Sequence, residues 1–436
     1  MSKIKLNEYI DILEEPEDRE EVANAEYQRE LFEKYVMRNE EHLAEREKLL
    51  KEYKEGAELT GEKGLRRRLG AFDLEYFGRA YLPHYFVRES PTFHGELDAI
   101  WSEGVLKGKN PTTDAKEISR AKGSRRAIEA PRGHAKSTTF TFKDALHASM
   151  YGYKHYIIIL SDSSEQAEGF LGDIKTEYED NGAIREDFGE LKGKVWKTSV
   201  ILLSSGVKIE AIGSGKKIRG RRHKQWRPDL IILDDIENDE NVNTLEQRKK
   251  LANWFYKAVS KAGDTYTDIV YIGTLLHYDS LLAKVAKNPE YKSVKYRGVI
   301  SFAINRSLWD AWEVIYTDLS NDKRQEEAKA FFESNREEML EGTEVLWEAK
   351  LNYYDLMIIR ISEGEASFNS EIQNDPIDPD SCTFNEEWLD FYDGKEPDFS
   401  DSRFVFFGAN DPSLGKNKKS DTSAIIVIAK DTRTGY

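Results

Sequence analysis

The chain has 436 residues, 39% hydrophobic and 33% charged, with a formal net charge of −16, which accommodates two or three domains and excludes a protein that coats nucleic acid over its whole surface. Its longest aliphatic runs, Ile157–Leu160 and Leu230–Leu233, are too short for a membrane span, the start lacks a signal-peptide core, and the natural compartment is the cytosol. Cys382 is the single cysteine and the eight histidines are scattered, so neither a disulfide framework nor a cysteine-based zinc site is expected.

Residues 16 to 56 are dense in Glu, Lys and Arg, with Leu31, Tyr35, Val36, Leu43 and Leu50 recurring loosely. This predicts a long exposed helix or helical pair, a solvated arm in preference to a partner surface. From Leu65 to Leu106 the chain turns aromatic (Phe72, Tyr76, Phe77, Tyr81, Tyr85, Phe86, Phe93, Trp101), mostly as core. Pro91-Thr92-Phe93-His94 could offer a ring for stacking on a base, although core packing is the simpler role.

After a basic stretch (Arg120, Lys122, Arg125, Arg126) comes Arg126-Ala-Ile-Glu-Ala-Pro-Arg-Gly-His-Ala-Lys-Ser-Thr138. A short apolar strand leads into a tight loop, and a helix follows from Thr138 to Met150 with Phe140, Phe142, Ala145 and Leu146 on one face. Strand, loop and helix closing on Lys-Ser is the layout of a phosphate-binding loop. Loop N–H groups would surround the phosphates, Lys136 would reach the β- and γ-phosphates, and Ser137 would coordinate Mg²⁺. The match is imperfect, since Ala130 and Ala135 stand where glycines belong and Gly133 lies mid-loop. An ordinary loop before a helix is the plain alternative.

His155–Ser161 predicts a second buried strand, Ser164–Asn181 a helix, and Ser199–Leu203 with Val207–Ile212 a hairpin across Ser204-Ser205-Gly206. Lys216, Lys217, Arg219, Arg221, Arg222, Lys224 and Arg227 then crowd one loop with no acid among them. On an acidic protein such a loop suits the phosphates of DNA or of ATP better than bare solvation. Asp229-Leu-Ile-Ile-Leu-Asp-Asp235 is an apolar run ending in two carboxylates, a strand of a parallel sheet buried on both faces. Its carboxylates would lie beside the loop, where Mg²⁺ needs a ligand. Ile236-Glu237-Asn238-Asp239-Glu240 adds more acids, a helix spans Thr244 to Lys261, and Asp268–Gly273 predicts another buried strand running into Thr274. Strands alternating with helices and ending in polar residues describe a largely parallel α/β sheet with ligands at the strand ends.

From about Ser301 the pattern changes. Residues 321 to 341 and Tyr353 to Ser362 read as helices, and Pro376, Pro379 and Asp380 mark a linker. Phe404–Asp411 is a strand closing on an aspartate, and Ser423–Ala429 makes a second strand after the polar turn Pro412–Asp421.

These pieces, in this order, resemble the large terminase subunit of tailed bacteriophages, an ATPase and nuclease that packages viral DNA. The resemblance covers roughly residues 65 to 436. It rests on Pro131-Arg132-Gly133-His134-Ala135-Lys136-Ser137-Thr138 as a variant Walker A motif, Leu230–Asp235 as Walker B, and Gly273-Thr274 as the coupling motif. Phe368–Pro376 looks like the segment linking the two domains, and Asp411-Pro412-Ser413 with Asp421–Ala424 is similar to the opening of an RNase H-like nuclease. The fold so implied is a P-loop NTPase of the RecA/ASCE-like kind with a mostly parallel sheet. The implied domains are a helical arm over 1–60, the ATPase over 61–300, a linker or lid over 301–400, and the start of the nuclease over 401–436.

The resemblance implies ATP and Mg²⁺ as cofactors, with Mg²⁺ or Mn²⁺ at the nuclease site. Lys136, Ser137 and Asp234 would hold phosphate and metal, and Arg132 would reach the γ-phosphate in cis, stabilising charge on the transferred group. The usual second Walker B carboxylate is Glu; here it is Asp235, so the attacking water falls to Asp235 or to Glu237, and Thr274 would couple hydrolysis to movement. Asp411 fits the first nuclease metal ligand. Other acidic ligands would lie beyond Tyr436, so this chain is not expected to complete a two-metal site. Implied partners are double-stranded DNA (through Lys216, Lys217, Arg219, Arg221, Arg222 and Lys224), a portal protein, a small terminase subunit and further copies in a ring, with no membrane. The implied location is the bacterial host cytoplasm, transiently at the procapsid portal. The competing readings are a helicase-type translocase, a nucleotide-gated scaffold without turnover, and a small-molecule kinase.

Overall fold

A computed structural model describes residues 16–37, 42–106, 122–376, 399–411 and 424–433. The chain divides into two compact units, Met1–Asp378 and Pro379–Tyr436. The first is built on an eight-stranded sheet: β1 (Arg125–Glu129), β2 (Tyr156–Ser161), β3 (Lys192–Trp196), β4 (Val200–Leu203), β5 (Lys208–Gly213), β6 (Leu230–Asp234), β7 (Asp268–Gly273) and β8 (Lys292–Lys295), in the order β3-β4-β5-β2-β6-β7-β1-β8. Every pair from β5 to β8 is parallel, and the β3-β4-β5 edge is antiparallel.

The apolar runs of the central strands follow from helices covering both faces of the sheet. Ile128, Ile157, Ile159, Leu230, Ile232, Val270 and Ile272 pack on one side with the N-terminal helices. Their alternate neighbours Ala127, Ile158, Leu160, Ile231, Leu233, Ile269 and Tyr271 pack on the other with Leu251, Phe255, Leu281 and Val285. Both strands of the expected hairpin form as β4 and β5. β3 lies outside the sequence expectation, because its alternating Lys and Gly carry little apolar signal.

The N-terminal helices differ from the expected solvated arm. Pro16–Val36 and Leu43–Lys54 are docked onto the aromatic segment: Leu31, Phe32, Tyr35, Val36 and Leu49 are buried in the main core. Gln28 donates to the Ala80 carbonyl at 2.8 Å, and Arg46 pairs with Asp73 at 2.9 Å. The buried residues are few per turn, so the charges on the remaining faces dominate the sequence pattern. Asp187 then locks the segment to the sheet's flank, accepting from Gly61 N–H at 2.6 Å, Arg66 Nε at 2.7 Å and Tyr81 hydroxyl at 2.5 Å.

Residues beyond β8 add β9 (Val299–Ser301) and β10 (Glu344–Val345), an antiparallel pair, and helices Arg306–Thr317, Arg324–Ser334, Tyr353–Glu363 and Glu365–Glu371 around a core of Trp309, Trp312, Phe332, Leu356 and Phe368. Of the expected 301–400 linker, residues 301–376 belong to the first unit and 399–400 to the second, while Pro379, Asp380 and Cys382 lie outside the described residues. In the second unit β11 (Phe404–Asp411) and β12 (Ala424–Asp431) form an antiparallel hairpin, Asp411 opposite Ala424. No helix among the described residues is long and apolar enough to cross a membrane.

Docking of the first helix makes Phe32, fully buried, a structural residue. Phe32→Ala should lower stability by about 3–5 kcal/mol in urea denaturation; a change under about 0.5 kcal/mol, as at a solvated position, would contradict the docking.

Candidate phosphate- and metal-binding site

The C-terminal ends of β1, β6 and β7 meet because their register aligns them: Glu129 lies opposite Gly273, and Asp234 opposite Ile272. The ladder continues one residue further, with Ala130 N–H donating to Gly273 O at 3.0 Å and Asp235 N–H to Ile272 O at 3.1 Å. The loop after β1 therefore starts one strand away from the carboxylates that close β6.

That loop needs two left-handed residues. Gly133 takes φ +76°, and Ala135 takes φ +60° where the motif has glycine. For an L-residue that conformation costs about 1–2 kcal/mol. Ala135 is half-buried against the core, so the loop holds its shape despite the missing glycine. The helix that follows is wound as a π-helix over Thr138–Asp144 before tightening to α over Ala145–Met150. Winding of this kind recurs at functional sites. It leaves Phe140, Phe142, Ala145 and Leu146 buried as expected.

The side chains converge. Lys136, itself buried, places Nζ 2.9 Å from Asp235 Oδ2 and 3.0 Å from the Thr274 hydroxyl. Ser137 donates to Asp234 Oδ1 at 2.9 Å, and Thr141 donates to Oδ2 at 2.5 Å. Asp235 sits on left-handed backbone (φ +42°), which turns its carboxylate back so that Oδ1 accepts Thr274 N–H at 3.1 Å. Thr274 also donates to Ala130 O at 3.3 Å.

Asp234 is fully buried, and burial followed by the neighbouring Asp235 charge pushes its carboxyl up to about 7. Both of its oxygens are met by hydroxyls, while the nearby ammonium of Lys136 is paired with Asp235. A buried carboxylate held by hydroxyls alone is a donor set short of one positive charge. A divalent cation would fit that deficit, and Ser137 and Asp234 are the residues that could hold it. Among the described residues, no group of three His, Cys, Asp or Glu side chains is arranged to hold a metal by itself.

The other expected residues divide. Arg132 is exposed, and Nε pairs with Glu371 at 2.9 Å while its N–H donates to Glu371 O at 2.9 Å. Pro131 is buried, and Thr138 half-buried at the helix start. His134 is fully buried; its Nδ1–H donates to Arg132 O at 2.9 Å, its carbonyl accepts from His94 Nε2 at 3.1 Å, and burial lowers its imidazole to about 4. It shapes the loop as a neutral packing residue. Phe93 and His94 pack beneath the loop as core, with no ring free for stacking on a base.

Glu237 is committed elsewhere. Its oxygens accept Leu281 N–H at 2.6 Å, Leu282 N–H at 2.8 Å and Tyr271 hydroxyl at 2.9 Å, so it anchors the start of the Leu281–Ala286 helix. Burial raises its carboxyl above the usual range. Asp411 ends β11, but its side chain, like Pro412–Asp421, lies outside the described residues.

Sequence reasoning does not find several neighbours of the site: Thr141, Asp162, Gln166 and Asn238, together with Lys350, which donates to Gly133 O. A cavity of about 290 Å³ lined by Arg132, Asp162, Gln166, Asp235, Glu237, Asn238, Asp239, Thr274 and Leu276 opens beside the carboxylates. The helical phase of Thr141, four residues after Ser137, is the one local signal.

On the basic loop, Lys216, Lys217, Arg219, Arg222 and Lys224 are exposed. Ile218 and Trp226 are buried and pin it, and Trp254 Nε1 donates to Lys216 O at 2.9 Å. Arg221 is the exception, paired with Glu210.

No protein-family model matches the chain. No curated protein matches it. Among solved structures it is similar to the crystal structure of the HK97 bacteriophage large terminase, with a TM-score of 0.30 and 18% identity over 53% of this chain and 47% of that one. The chain thus spans about half the length of that structure. So distant a likeness fixes no function, and the site is read from its own chemistry.

The left-handed Ala135 supplies a test. Ala135→Gly should stabilise the protein by about 1 kcal/mol, read as a higher urea midpoint. A lower midpoint would mean that the methyl group's packing outweighs the backbone strain.

Proposed function

We propose that the chain binds ATP with Mg²⁺ at the Pro131–Thr138 loop, hydrolyses it, and works as a DNA-packaging motor of the large-terminase kind. The carrying observation is the convergence of Lys136, Ser137, Asp234, Asp235 and Thr274 at three adjacent strand ends. Phosphoryl transfer is catalysed by positioning and charge stabilisation, and these are the groups it requires.

Lys136 gives up Asp235 for the phosphate oxygens, and that exchange frees the Asp235 carboxylate. Asp235 then orients the attacking water, since Glu237 has its oxygens occupied by Leu281, Leu282 and Tyr271. Mg²⁺, bound through Ser137 and Asp234, would neutralise charge on the phosphate oxygens. Arg132 is close enough in sequence and exposed enough to leave Glu371 and meet the γ-phosphate.

The exposed cations of the 216–224 loop are the proposed duplex contact. The sequence resemblance supports the wider reading: double-stranded viral DNA as cargo, a portal protein and a small terminase subunit as partners, a ring of copies at the procapsid in the host cytoplasm, and a metal-dependent nuclease whose first ligand is Asp411.

Mg²⁺-dependent ATP turnover tests the reading. Lys136→Ala should abolish turnover, and Asp235→Asn should lower kcat by about 10²–10⁴-fold. Glu237→Gln should lower thermal stability but keep turnover. Full activity in Lys136→Ala would refute the site, and loss of turnover in a folded Glu237→Gln would return the water to Glu237.

DNA affinity gives a separate check. Arg219→Ala and Arg222→Ala should each flatten the plot of log affinity against log salt, by about 0.9 for every phosphate left without its cation. Arg221→Ala, whose partner is Glu210, should leave that slope nearly unchanged. A slope insensitive to Arg219 and Arg222 would move the DNA-binding surface elsewhere.

A further inference from the structure

The segment after the Glu365–Glu371 helix carries Asn374, a fully buried side chain on left-handed backbone with φ +50°. Asn is among the few non-glycine residues enriched in that conformation. Its amide is used at both ends: Oδ1 accepts Leu275 N–H at 2.8 Å, and Nδ2 donates to Tyr296 O at 2.8 Å. One side chain therefore joins the turn after β7 to the residue after β8.

The neighbours of Asn374 anchor the same segment to β9 instead. Ile372 O accepts Gly298 N–H at 2.8 Å, Gln373 Oε1 accepts Val299 N–H at 2.9 Å, and Gln373 Nε2 donates to Val299 O at 3.2 Å. Asn374 is the member that reaches the turn leading out of the candidate site.

That turn is where the geometry matters. Thr274 N–H donates to Asp235 Oδ1, and the next N–H, that of Leu275, goes to Asn374. The two amides belong to adjoining peptide planes that meet at the Thr274 Cα, so holding the Leu275 N–H limits the φ and ψ open to Thr274. The Thr274 hydroxyl also contacts Lys136. Thr274 therefore contacts both the carboxylate and the ammonium and is bonded directly to the residue that Asn374 holds.

We propose that Asn374 is a positioning residue that holds the Thr274–Leu275 turn, and through it the Asp235 carboxylate, so that turnover depends on the seating of residues 365–376. This rests on the ATP-hydrolysis reading above. The inference names a residue on the segment that leads out of the first unit as part of the control of the site, although it touches neither phosphate nor metal.

Asn374→Gly is the sharpest variant, because glycine accepts φ +50° without strain and only the amide is removed. Its kcat for ATP should fall roughly tenfold to a hundredfold, the scale of a small misplacement of reacting groups. Affinity for a non-hydrolysable ATP analogue should be essentially unchanged. Gln373→Ala, which weakens the same segment without touching the turn, should lower stability and keep the parent kcat. Parent-like kcat in Asn374→Gly, or an equal fall in both variants, overturns the inference, since the bond would then be general anchoring.

If Asn374→Gly does not fold, hydrogen exchange on the parent decides. The analogue should change protection of the Leu275 amide and of residues 372–375 together, and independent responses overturn the coupling. Failure of the underlying reading looks different: it shows as a parent without ATP turnover or as an active Lys136→Ala, whatever Asn374 does.

Discussion

The buried carboxylate of Asp234 is the constraint around which the first unit is arranged. A carboxyl group with no exposure is costly to bury unless hydrogen-bond partners meet it. The Ser137 and Thr141 hydroxyls satisfy it from one helix, and that helix must start one strand away from β6. In the sheet β7 lies between β1 and β6, and the loop and helix after β1 carry the two hydroxyls across it. No ammonium or guanidinium bonds to Asp234 directly, which is the feature on which the proposed Mg²⁺ site rests.

Lys136 and Asp235 form the complementary half. Their pair is buried on one side and open to the cavity on the other, with Asp235 bent back by a left-handed turn. The exchange proposed above, phosphate for carboxylate at Lys136, starts from this pair. Ala135 and Asp235, on left-handed backbone at φ +60° and +42°, both flank this pair.

The residues after β8 are bound to the loop more closely than a tether would be. Glu371 holds Arg132 twice, Lys350 reaches Gly133 O, and Asn374 holds the turn after β7. These contacts are the physical basis of the coupling proposed for Asn374.

The sequence by itself determined the central strands of the sheet and the polar residues gathered at their ends. The runs at Tyr156–Ser161, Leu230–Asp234 and Asp268–Gly273 are apolar throughout because both faces are covered, and their polar ends mark where a ligand can approach. Lys136, Ser137, Asp234, Asp235 and Thr274 were legible because each sits at a strand or helix end beside such a run. Three matters were settled only by the tertiary structure. Asp235 and Glu237 are both acids after β6, and it is the Leu281–Ala286 helix, more than forty residues away in sequence, that ties up Glu237 and leaves Asp235 to pair with Lys136. The first helices looked solvated because buried positions such as Phe32 are sparse among charges, and their partners Ala80 and Asp73 lie far along the chain. Glu371 and Asn374 carry no local signal of their role, since their hydrogen bonds join segments that meet only once the sheet has formed.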